Sequence, residues 1–322
     1  MRGSINRMNH LGKEKIPFLF IIDFEMKNPV VIPLDKVDHD NIKYSLSGIT
    51  NALSKSAQLN NELELNVNPV SKERYRKAYN NVQKHIHHGD SFLLNLTMPT
   101  RIKTNWTLEE IFYGSNAKYK LLLADQFVVF SPEIFIQIKE RKIKSFPMKG
   151  TIDATIPDAE YKLLNNEKEL AEHYTIVDLI RNDLSMVSKN VKVDRFRFID
   201  YVKTNRGGLF QMSSEISGVL PENYTETIGD MLFKVLPAGS ISGAPKKKTL
   251  EIIDEQEQYK RGYYTGIFGI FDGQNLDSGV MIRYIEQTPE GLIYKSGGGI
   301  TAQSNIDEEY QELIDKIYIP IS

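Results

Sequence analysis

The stretch from Glu167 to Ser185, EKELAEHYTIVDLIRNDLS, constrains the fold most, because its periodicity is that of a long helix. Five apolar residues recur at about 100° per residue and predict one buried stripe: Leu170, Tyr174, Val177, Ile180 and Leu184. Glu169 and Glu172 lie three residues apart on an adjoining face, which continues as Ile176 and Leu179. We therefore expect both carboxylates to point into the protein, where unpaired charge is costly.

A second pair of glutamates near the end of the chain has the same spacing. In DEEYQELIDKIYI, Glu309 and Glu312 lie three residues apart, and Tyr310, Leu313 and Ile317 are the expected packing residues. Two such helices can present four carboxylates to one point. Hard divalent cations take oxygen ligands, so the two pairs predict a Mg²⁺ site. The alternative is that each pair is a solvated feature of a helix surface.

Composition narrows the classes of function that remain. The chain has 322 residues, enough for one large domain or two ordinary ones with a substantial core. Its 40 basic and 42 acidic side chains leave a net charge of −2, so no basic surplus favours nucleic-acid binding. There is no cysteine, which excludes disulfides, thiolate metal sites and a cysteine nucleophile.

The pattern of predicted elements indicates one α+β body with much antiparallel sheet. Residues 16–33 read as two strands with a turn between them. The apolar part of this run is too short for a signal peptide or a membrane span, so a cytoplasmic enzyme without a membrane segment is expected. The polar segment before residue 69 marks a boundary. We predict a short N-terminal segment, 1–68, that completes the sheet, and a main domain, 69–322.

Three histidines end a predicted helix that Ser71 caps and Gly89 terminates. His85, His87 and His88 invite interpretation as a metal site, but their spacing scatters them around the helix axis. Cations are favoured at a helix C-terminus, so a structural role is the preferred interpretation.

A predicted hairpin carries the second chemical feature. Segments 133–139 and 143–149 flank a short polar loop centred on Arg141, which places Glu133 opposite Lys149 at the open end. Ser131-Pro132 and Gly150-Thr151 break the ladder there. The carboxyl and the amine can serve as a general acid and a nucleophile. A surface salt bridge is the alternative.

Glycine-rich turns predict anion binding, because glycine exposes backbone N–H groups at helix N-termini. One turn, PAGSISGAPK, contains Gly243, and the other, YKSGGGIT, contains Gly297, Gly298 and Gly299. Neither matches a P-loop, and the chain has no dinucleotide-binding fingerprint.

Two predicted strands between these turns carry Tyr264 and Arg283. A buried arginine needs an anionic partner, and a carboxylate of a ligand accepts its fork of N–H groups. An internal Glu or Asp is the alternative partner.

Five motifs in order, KELAEH...VDLIRNDL, PAGSISGAPK, RGYYTG, SGGGI and EYQE, resemble the chorismate-utilising enzymes. This family contains anthranilate synthase component I, aminodeoxychorismate synthase component I, and the isochorismate and salicylate synthases. The resemblance covers roughly residues 70–320. It implies a fold of two large antiparallel β-sheets packed together with helices outside.

The resemblance also implies roles for the candidate residues. Glu172 and Glu312 would ligate Mg²⁺ directly, Glu169 and Glu309 would act through water, and the metal would hold one carboxylate of chorismate. The other carboxylate would be received by a set drawn from both turns and both strands: Tyr264, Arg283, Gly243, Gly297, Gly298 and Gly299.

Two positions separate the members of the family. Aminodeoxychorismate synthases have lysine where the other members usually have alanine, and this chain has Lys149, followed by Gly150-Thr151. The hydroxylating members have a general-base lysine where this chain has Leu93. The resemblance is therefore closest to aminodeoxychorismate synthase component I, in which Lys149 would add to the chorismate ring while Glu133 protonates the departing hydroxyl.

Departures from the family pattern affect the ring pocket and the N-terminus. Gln211 stands where the family commonly has a histidine that lines this pocket, which would keep a polar contact but remove any proton transfer. The N-terminal region is short and lacks the segment associated with tryptophan binding. Anthranilate synthesis and a non-catalytic chorismate-binding subunit are the alternative functions.

The expected partners follow from the resemblance and from the absence of cysteine. Ammonia would come from a separate glutamine amidotransferase subunit or from solution. No lyase segment follows the last motif, so a separate lyase would complete 4-aminobenzoate for folate synthesis.

Overall fold

The computed structural model describes residues 1–52, 61–204 and 207–321, without the side chains of Lys149, Thr151, Glu167, Lys168 and residues 202–204. Eight α-helices lie in these ranges. They are α1 (Arg2–Lys13), α2 (Lys72–His88), α3 (Leu108–Gly114), α4 (Ala159–Leu164), α5 (Glu167–Ser185), α6 (Ile228–Val235), α7 (Lys246–Glu257) and α8 (Ile306–Asp315). In these ranges, none of the helices has the length and apolar character needed to cross a bilayer.

Among the residues that the structure describes, nine strands form the first sheet and nine form the second. The strands of the first sheet are β1 (Phe18–Ile22), β2 (Val30–Pro33), β9 (Ile134–Lys139), β10 (Lys142–Ser145), β11 (Met148–Asp153), β12 (Lys189–Thr204), β13 (Gly207–Val219), β15 (Ile267–Phe271) and β16 (Leu276–Val280). Neighbouring strands follow the order β11-β13-β10-β9-β16-β15-β1-β2, and β12 also pairs with β13.

Nine further strands form the second sheet. They are β3 (Ile42–Leu46), β4 (Ile49–Thr50), β5 (Leu65–Asn68), β6 (Leu93–Thr104), β7 (Tyr119–Leu123), β8 (Phe127–Ser131), β14 (Gly243–Ala244), β17 (Tyr284–Thr288) and β18 (Gly291–Ile300). Their order is β14-β6-β18-β17-β8-β7-β3-β4, and β5 also pairs with β6. The described pairings in both sheets are antiparallel, so the predicted fold class is confirmed.

Strand β1 shows how the two sheets share the core. All five of its residues are buried, and successive side chains point to opposite faces. Leu19 and Ile21 pack in the cluster that fills the space between the sheets, whereas Phe18 and Phe20 pack in the cluster under the helices. A strand buried on both faces reads as a continuous apolar run, which is what the sequence shows there.

The N-terminal segment supplies strands to both sheets. Strands β1 and β2 pair antiparallel as predicted, and β3, β4 and β5 join the second sheet. Helix α1 was not predicted, because its sequence is mostly polar; it buries Met8 and Leu11 and packs against α6. The division of the chain at residue 68 stays a prediction.

Helix α5 buries a face that differs from the predicted stripe. Val177, Ile180 and Leu184 are buried as expected, but Tyr174 is 56% exposed and stacks on Phe196. The buried face is shifted toward Glu172, which is 6% exposed, so the expectation that this carboxylate points into the protein is confirmed.

The hairpin between β9 and β10 differs by one residue from the predicted register. Its turn consists of Glu140 and Arg141, both with positive φ, and Lys142 pairs with Lys139. Two-residue turns of this type match the twist of the strands, so they displace the predicted three-residue loop. The ladder with β9 ends before β11, which continues along β13, so Glu133 is not a ladder partner of Lys149.

A buried ion pair joins several elements near the centre of the molecule. The guanidinium of Arg261 contacts both carboxylate oxygens of Glu257, at 2.6 and 2.9 Å, and both side chains are 1% exposed. Arg261 also donates to the carbonyls of Ile241 and Asn95, and Glu257 accepts from the backbone N–H and the hydroxyl of Thr97. The pair therefore ties α7, β6 and the glycine turn before α7 together.

A second ion pair seats the glycine turn on α5. Lys246 donates to Asp183 at 2.8 Å and to the carbonyl of Val235 at 2.8 Å. Burial raises the pKa of Asp183 to about 6, against the opposing effect of Lys246, and burial also lowers the pKa of Lys246. For both partners, the cost of leaving water outweighs the attraction between them.

Replacing Glu257 by glutamine is expected to destabilise the protein strongly, because it leaves the Arg261 guanidinium buried without a countercharge. Breaking one side of a buried pair costs about 3–5 kcal/mol, to be measured as the free energy of unfolding in urea. The control is Lys248→Ala, which breaks an exposed pair with Glu251 that is worth less than about 1 kcal/mol. Equal losses in the two variants would contradict the structural role of the Arg261 pair.

The raised pKa of Asp183 predicts a pH-dependent difference between the wild type and Asp183→Asn. A carboxyl whose folded pKa is about 6, above the ordinary value of about 3.9, stabilises the fold fully at low pH and loses this contribution as the pH rises through 6. The wild type should therefore gain stability relative to the variant as the pH falls from 7 to 4.5, measured by thermal unfolding. Asp178→Asn, at an exposed position of the same helix, should show no such trend.

Candidate active site

Helix α5 presents Glu169 toward the strand that carries Lys149. The side chain of Asn166 caps the helix by accepting the N–H of Glu169. Gly150, in β11, has a φ of +79°, and a Cβ built there would lie 3.1 Å from a carboxylate oxygen of Glu169. The carboxylate therefore packs directly on the backbone of Gly150, and only glycine leaves the space for it.

Helix α8 presents the second pair of glutamates in the same way. A Cβ at Gly298 would lie 3.1 Å from an oxygen of Glu312 and 3.4 Å from one of Glu309. Glu309 is 1% exposed, whereas Glu312 is partly exposed and accepts from Lys316 at 2.5 Å. Glu169 of the first pair and both glutamates of the second thus pack on a glycine of a β-strand. The two buried members, Glu172 and Glu309, agree with the prediction that the carboxylates face protein.

The two predicted glycine turns meet on either side of one strand. Gly243 pairs with Leu94 of β6, and Gly297–Gly299 pair with residues 95–97 of the same strand from its other side. Gly243 has a φ of +140°, and a Cβ there would lie 1.9 Å from the carbonyl oxygen of Leu93. Helix α5 packs against β14 and α8 against β18, so both glutamate-bearing helices lie beside this group of three strands.

The donor set fits a hard divalent cation in its chemistry. Glu309, Glu312, Glu169 and Glu172 offer only carboxylate oxygens, the ligands that Mg²⁺ takes. Next to the second pair, the hydroxyl of Tyr75 is buried without a hydrogen-bond partner among the described residues. Within the described ranges, however, no three His, Cys, Asp or Glu side chains are grouped closely enough to hold a metal ion. A Mg²⁺ site made from both pairs stays a prediction.

Arg283 has the features of an anion-binding residue. Its Nε is buried and has no hydrogen-bond partner in the part of the chain that the structure describes, and its guanidinium lies 5.0 Å from the ring centre of Tyr318. Among the described residues no carboxylate forms an ion pair with it, so the alternative of an internal Glu or Asp partner finds no support there. Arginine keeps its charge at all pH values relevant to proteins, and an anionic ligand would satisfy it.

Tyr264 is a buried phenol beside the strand that follows Arg283. It is 3% exposed, and burial raises the pKa of its phenol well above the usual value. Its ring lies 5.8 Å from that of Tyr284, the neighbour of Arg283 in sequence, and its backbone N–H donates to the carbonyl of Arg261.

Glu133 lines a small cleft. One of its carboxylate oxygens accepts from the hydroxyl of Ser240 at 2.6 Å. The cleft is also lined by Ser145, Pro147 and Asp183, with apolar walls from β9 and α5. Since Pro147 precedes Lys149 by two residues, the cleft reaches the segment that carries the predicted nucleophile.

The predicted nucleophile lies at an irregular point of the first sheet. The backbone of Lys149 belongs to β11, and the pairing of β11 with β13 shifts between Met148 and Thr151. Its side chain lies outside the described part of the chain. Gln211 pairs with Thr151 across the sheet and donates to the sulfur of Met148, so it borders this irregular point.

The three histidines at the end of α2 do not form part of this site. His85 and His88 both contact the carboxylate of Asp90, at 2.7 and 3.2 Å, and His87 contacts the carbonyl of Gln83. These local contacts agree with the structural interpretation of the histidines.

Several residues of the site were not singled out from the sequence. Ser240 contacts Glu133, Asp183 lines the cleft, and His173, fully buried, contacts the hydroxyl of Ser214 at 2.7 Å. Serine and aspartate have no distinctive pattern by themselves. The one available signal was His173, a polar residue beside Glu172 on a helix face now known to be buried.

Comparisons with known proteins agree with this arrangement. Residues 31–322 match the family model described as chorismate binding enzyme. An uncharacterized PabA-like protein of Haemophilus influenzae is 51% identical over 321 residues, which cover 100% of this chain and 97% of that protein. Aminodeoxychorismate synthase component 1 of Salmonella typhimurium is 34% identical over 259 residues, which cover 76% of this chain and 56% of that enzyme.

The fold has a counterpart among solved structures. MenF, the menaquinone-specific isochorismate synthase from Escherichia coli, superimposes with a TM-score of 0.74 over 98% of this chain and 80% of that one, at 14% identity. This likeness concerns the fold alone. It agrees with the two antiparallel sheets, and the family match over residues 31–322 gives the identity of the family: the chain belongs to the chorismate binding enzymes.

Proposed function

We propose that this protein is the chorismate-aminating component of an aminodeoxychorismate synthase, which converts chorismate and ammonia to 4-amino-4-deoxychorismate. The observation that carries the proposal is the position of Lys149. Pro147, two residues before it, lines the cleft of Glu133, and Gly150, directly after it, packs on Glu169. The backbone of Lys149 thus runs between the proposed acid and the proposed metal ligands.

The proposed reaction assigns one step to each of two residues. The neutral amine of Lys149 adds to the chorismate ring, and Glu133 gives its proton to the 4-hydroxyl, which leaves as water. Ammonia then displaces the lysine amine and yields the product. A nearby carboxylate favours the charged form of an amine, so the reaction requires Glu133 to be protonated when Lys149 is neutral.

Substrate binding is assigned to the two carboxylates of chorismate. One would be received by Arg283, Tyr264 and the backbone of Gly243 and Gly297–Gly299, because the Nε of Arg283 is buried and no carboxylate of the described residues pairs with this side chain. The other would be held by Mg²⁺ bound to Glu172 and Glu312, with Glu169 and Glu309 acting through water. When bound, the metal supplies positive charge that draws electron density from the ring.

The proposed partner is a separate glutamine amidotransferase subunit. Enzymes of this pathway that release ammonia from glutamine use a cysteine nucleophile, and this chain has none. We place the protein in the cytoplasm, with a separate lyase that converts its product to 4-aminobenzoate.

The test of the proposal is product identification after incubation of the purified chain with chorismate, Mg²⁺ and an ammonium salt at mildly alkaline pH. A non-fluorescent amino product that a lyase converts to 4-aminobenzoate is expected. Fluorescent anthranilate would contradict the assignment in favour of the alternative amination, and chorismate binding without turnover would favour a non-catalytic subunit.

Replacing Lys149 by alanine is expected to abolish 4-amino-4-deoxychorismate formation while chorismate binding persists, because the variant lacks the nucleophile but keeps the anion site. Product is measured by chromatography and binding by calorimetry. The control is Lys144→Ala, which removes a lysine of the same sheet that pairs with Glu215 away from the cleft. Undiminished product in the Lys149 variant would refute the nucleophile role.

Replacing Glu309 by glutamine is expected to weaken Mg²⁺ binding about 10- to 100-fold, because residues that orient metal ligands have effects of this size. Direct titration of Mg²⁺ in the presence of chorismate measures the affinity, and the Mg²⁺ dependence of turnover gives a second readout. Glu308→Gln, at the exposed neighbouring position, is the matched control. Equal Mg²⁺ affinity in the two variants would argue against a metal at this pair.

A further inference from the structure

We infer that Ser240 is a positioning residue, whose hydroxyl holds the carboxyl of Glu133 in the orientation that delivers its proton. The inference rests on the proposed function, since it assigns a task to the acid of that reaction. It concerns a residue that the sequence analysis did not assign and that reaches the acid from the glycine turn before α7.

The contact itself is close and directional. The Ser240 hydroxyl donates to one carboxylate oxygen of Glu133 at 2.6 Å. The backbone of Glu133 is fixed independently, because its N–H donates to the Ser131 hydroxyl and its carbonyl accepts the N–H of Val280. With the backbone held in this way, the Ser240 contact acts on the rotation of the side chain.

The turn that carries Ser240 is held from several sides. A Cβ on Gly239 would lie 2.9 Å from the Leu179 side chain and 3.2 Å from a carboxylate oxygen of Asp183, so the turn is seated tightly on α5. On the other side, the carbonyl of Ile241 accepts from Arg261. Ser240 thus lies between two anchored residues, and its hydroxyl has little freedom to move away from Glu133.

Helix α5 therefore contacts two parts of the proposed site, the first pair of proposed metal ligands and the turn that carries Ser240. Near its start, α5 carries Glu169 and Glu172, and near its end, Leu179 and Asp183 seat the turn with Ser240. An α-helix rises about 1.5 Å per residue, so it keeps these residues at fixed distances from one another. The acid and the proposed metal ligands are consequently positioned relative to one rigid element.

The experiment compares the full-length wild type with Ser240→Ala and Ser240→Thr, measuring chorismate consumption with an ammonium salt. Ser240→Ala is expected to lower kcat roughly 10- to 100-fold with KM within about twofold, the range that misplacing a reacting group produces. Ser240→Thr keeps the hydroxyl and should restore most of kcat. Adding Ser240→Ala to a Glu133→Gln variant should cause no further loss, because both changes remove the same function.

The control is Ser115→Ala, since Ser115 is also buried but donates to the carbonyl of Phe112 and lies outside the cleft. This variant should keep both kinetic constants. An unchanged kcat in Ser240→Ala, a loss that appears in KM alone, or a further loss on top of Glu133→Gln would each overturn the inference.

Failure of the proposed function gives a different result. A wild type that consumes chorismate but forms another product overturns the assigned reaction, while the dependence of kcat on Ser240 still supports the positioning role. A wild type that consumes no chorismate under any supply of ammonia overturns both, because Glu133 then delivers no proton for Ser240 to direct.

Discussion

The buried pair of Arg261 and Glu257 is the interaction on which the rest of the site depends. It connects α7 to β6 through Thr97 and to the glycine turn through the carbonyl of Ile241. Tyr264 follows three residues later, and its N–H donates to the carbonyl of Arg261. A charge pair with so many hydrogen bonds tolerates little displacement, since each lost contact leaves a buried polar group unsatisfied. The elements that carry the candidate residues are therefore fixed relative to one another.

Glycine determines how close the acidic side chains come to the sheets. At Gly150 and Gly298, the space that a Cβ would take is bordered by carboxylate oxygens at about 3.1 Å. At least one carboxylate of each glutamate pair thus lies directly against glycine backbone. Glycine destabilises a strand because it loses more conformational entropy on folding than other residues. It is nevertheless common in strands where a side chain or ligand must approach the backbone closely, as the carboxylates do at these two positions.

Much of the fold was predictable because it depends on local patterns. The period of α5, the cap at Ser71 and the run of buried residues in β1 each determine one element by short-range physics. The register of the β9–β10 hairpin was wrong by one residue, because the loop length depends on turn geometry, which Glu140 and Arg141 satisfy only with positive φ. Helix α1 was missed because its polar sequence is stabilised by packing on α6 rather than by a pattern of its own.

The sequence by itself determined the candidate residues of the site: four carboxylates at helical spacing, glycines in two turns, and a lysine rather than an alanine at position 149. Only the tertiary structure decided which arginine has a carboxylate partner, since Arg261 pairs with Glu257 whereas Arg283 pairs with no described carboxylate. It alone also placed Ser240 on Glu133, 107 residues away in sequence. Such contacts arise from the packing of whole elements, and residue types and local spacing carry no record of them.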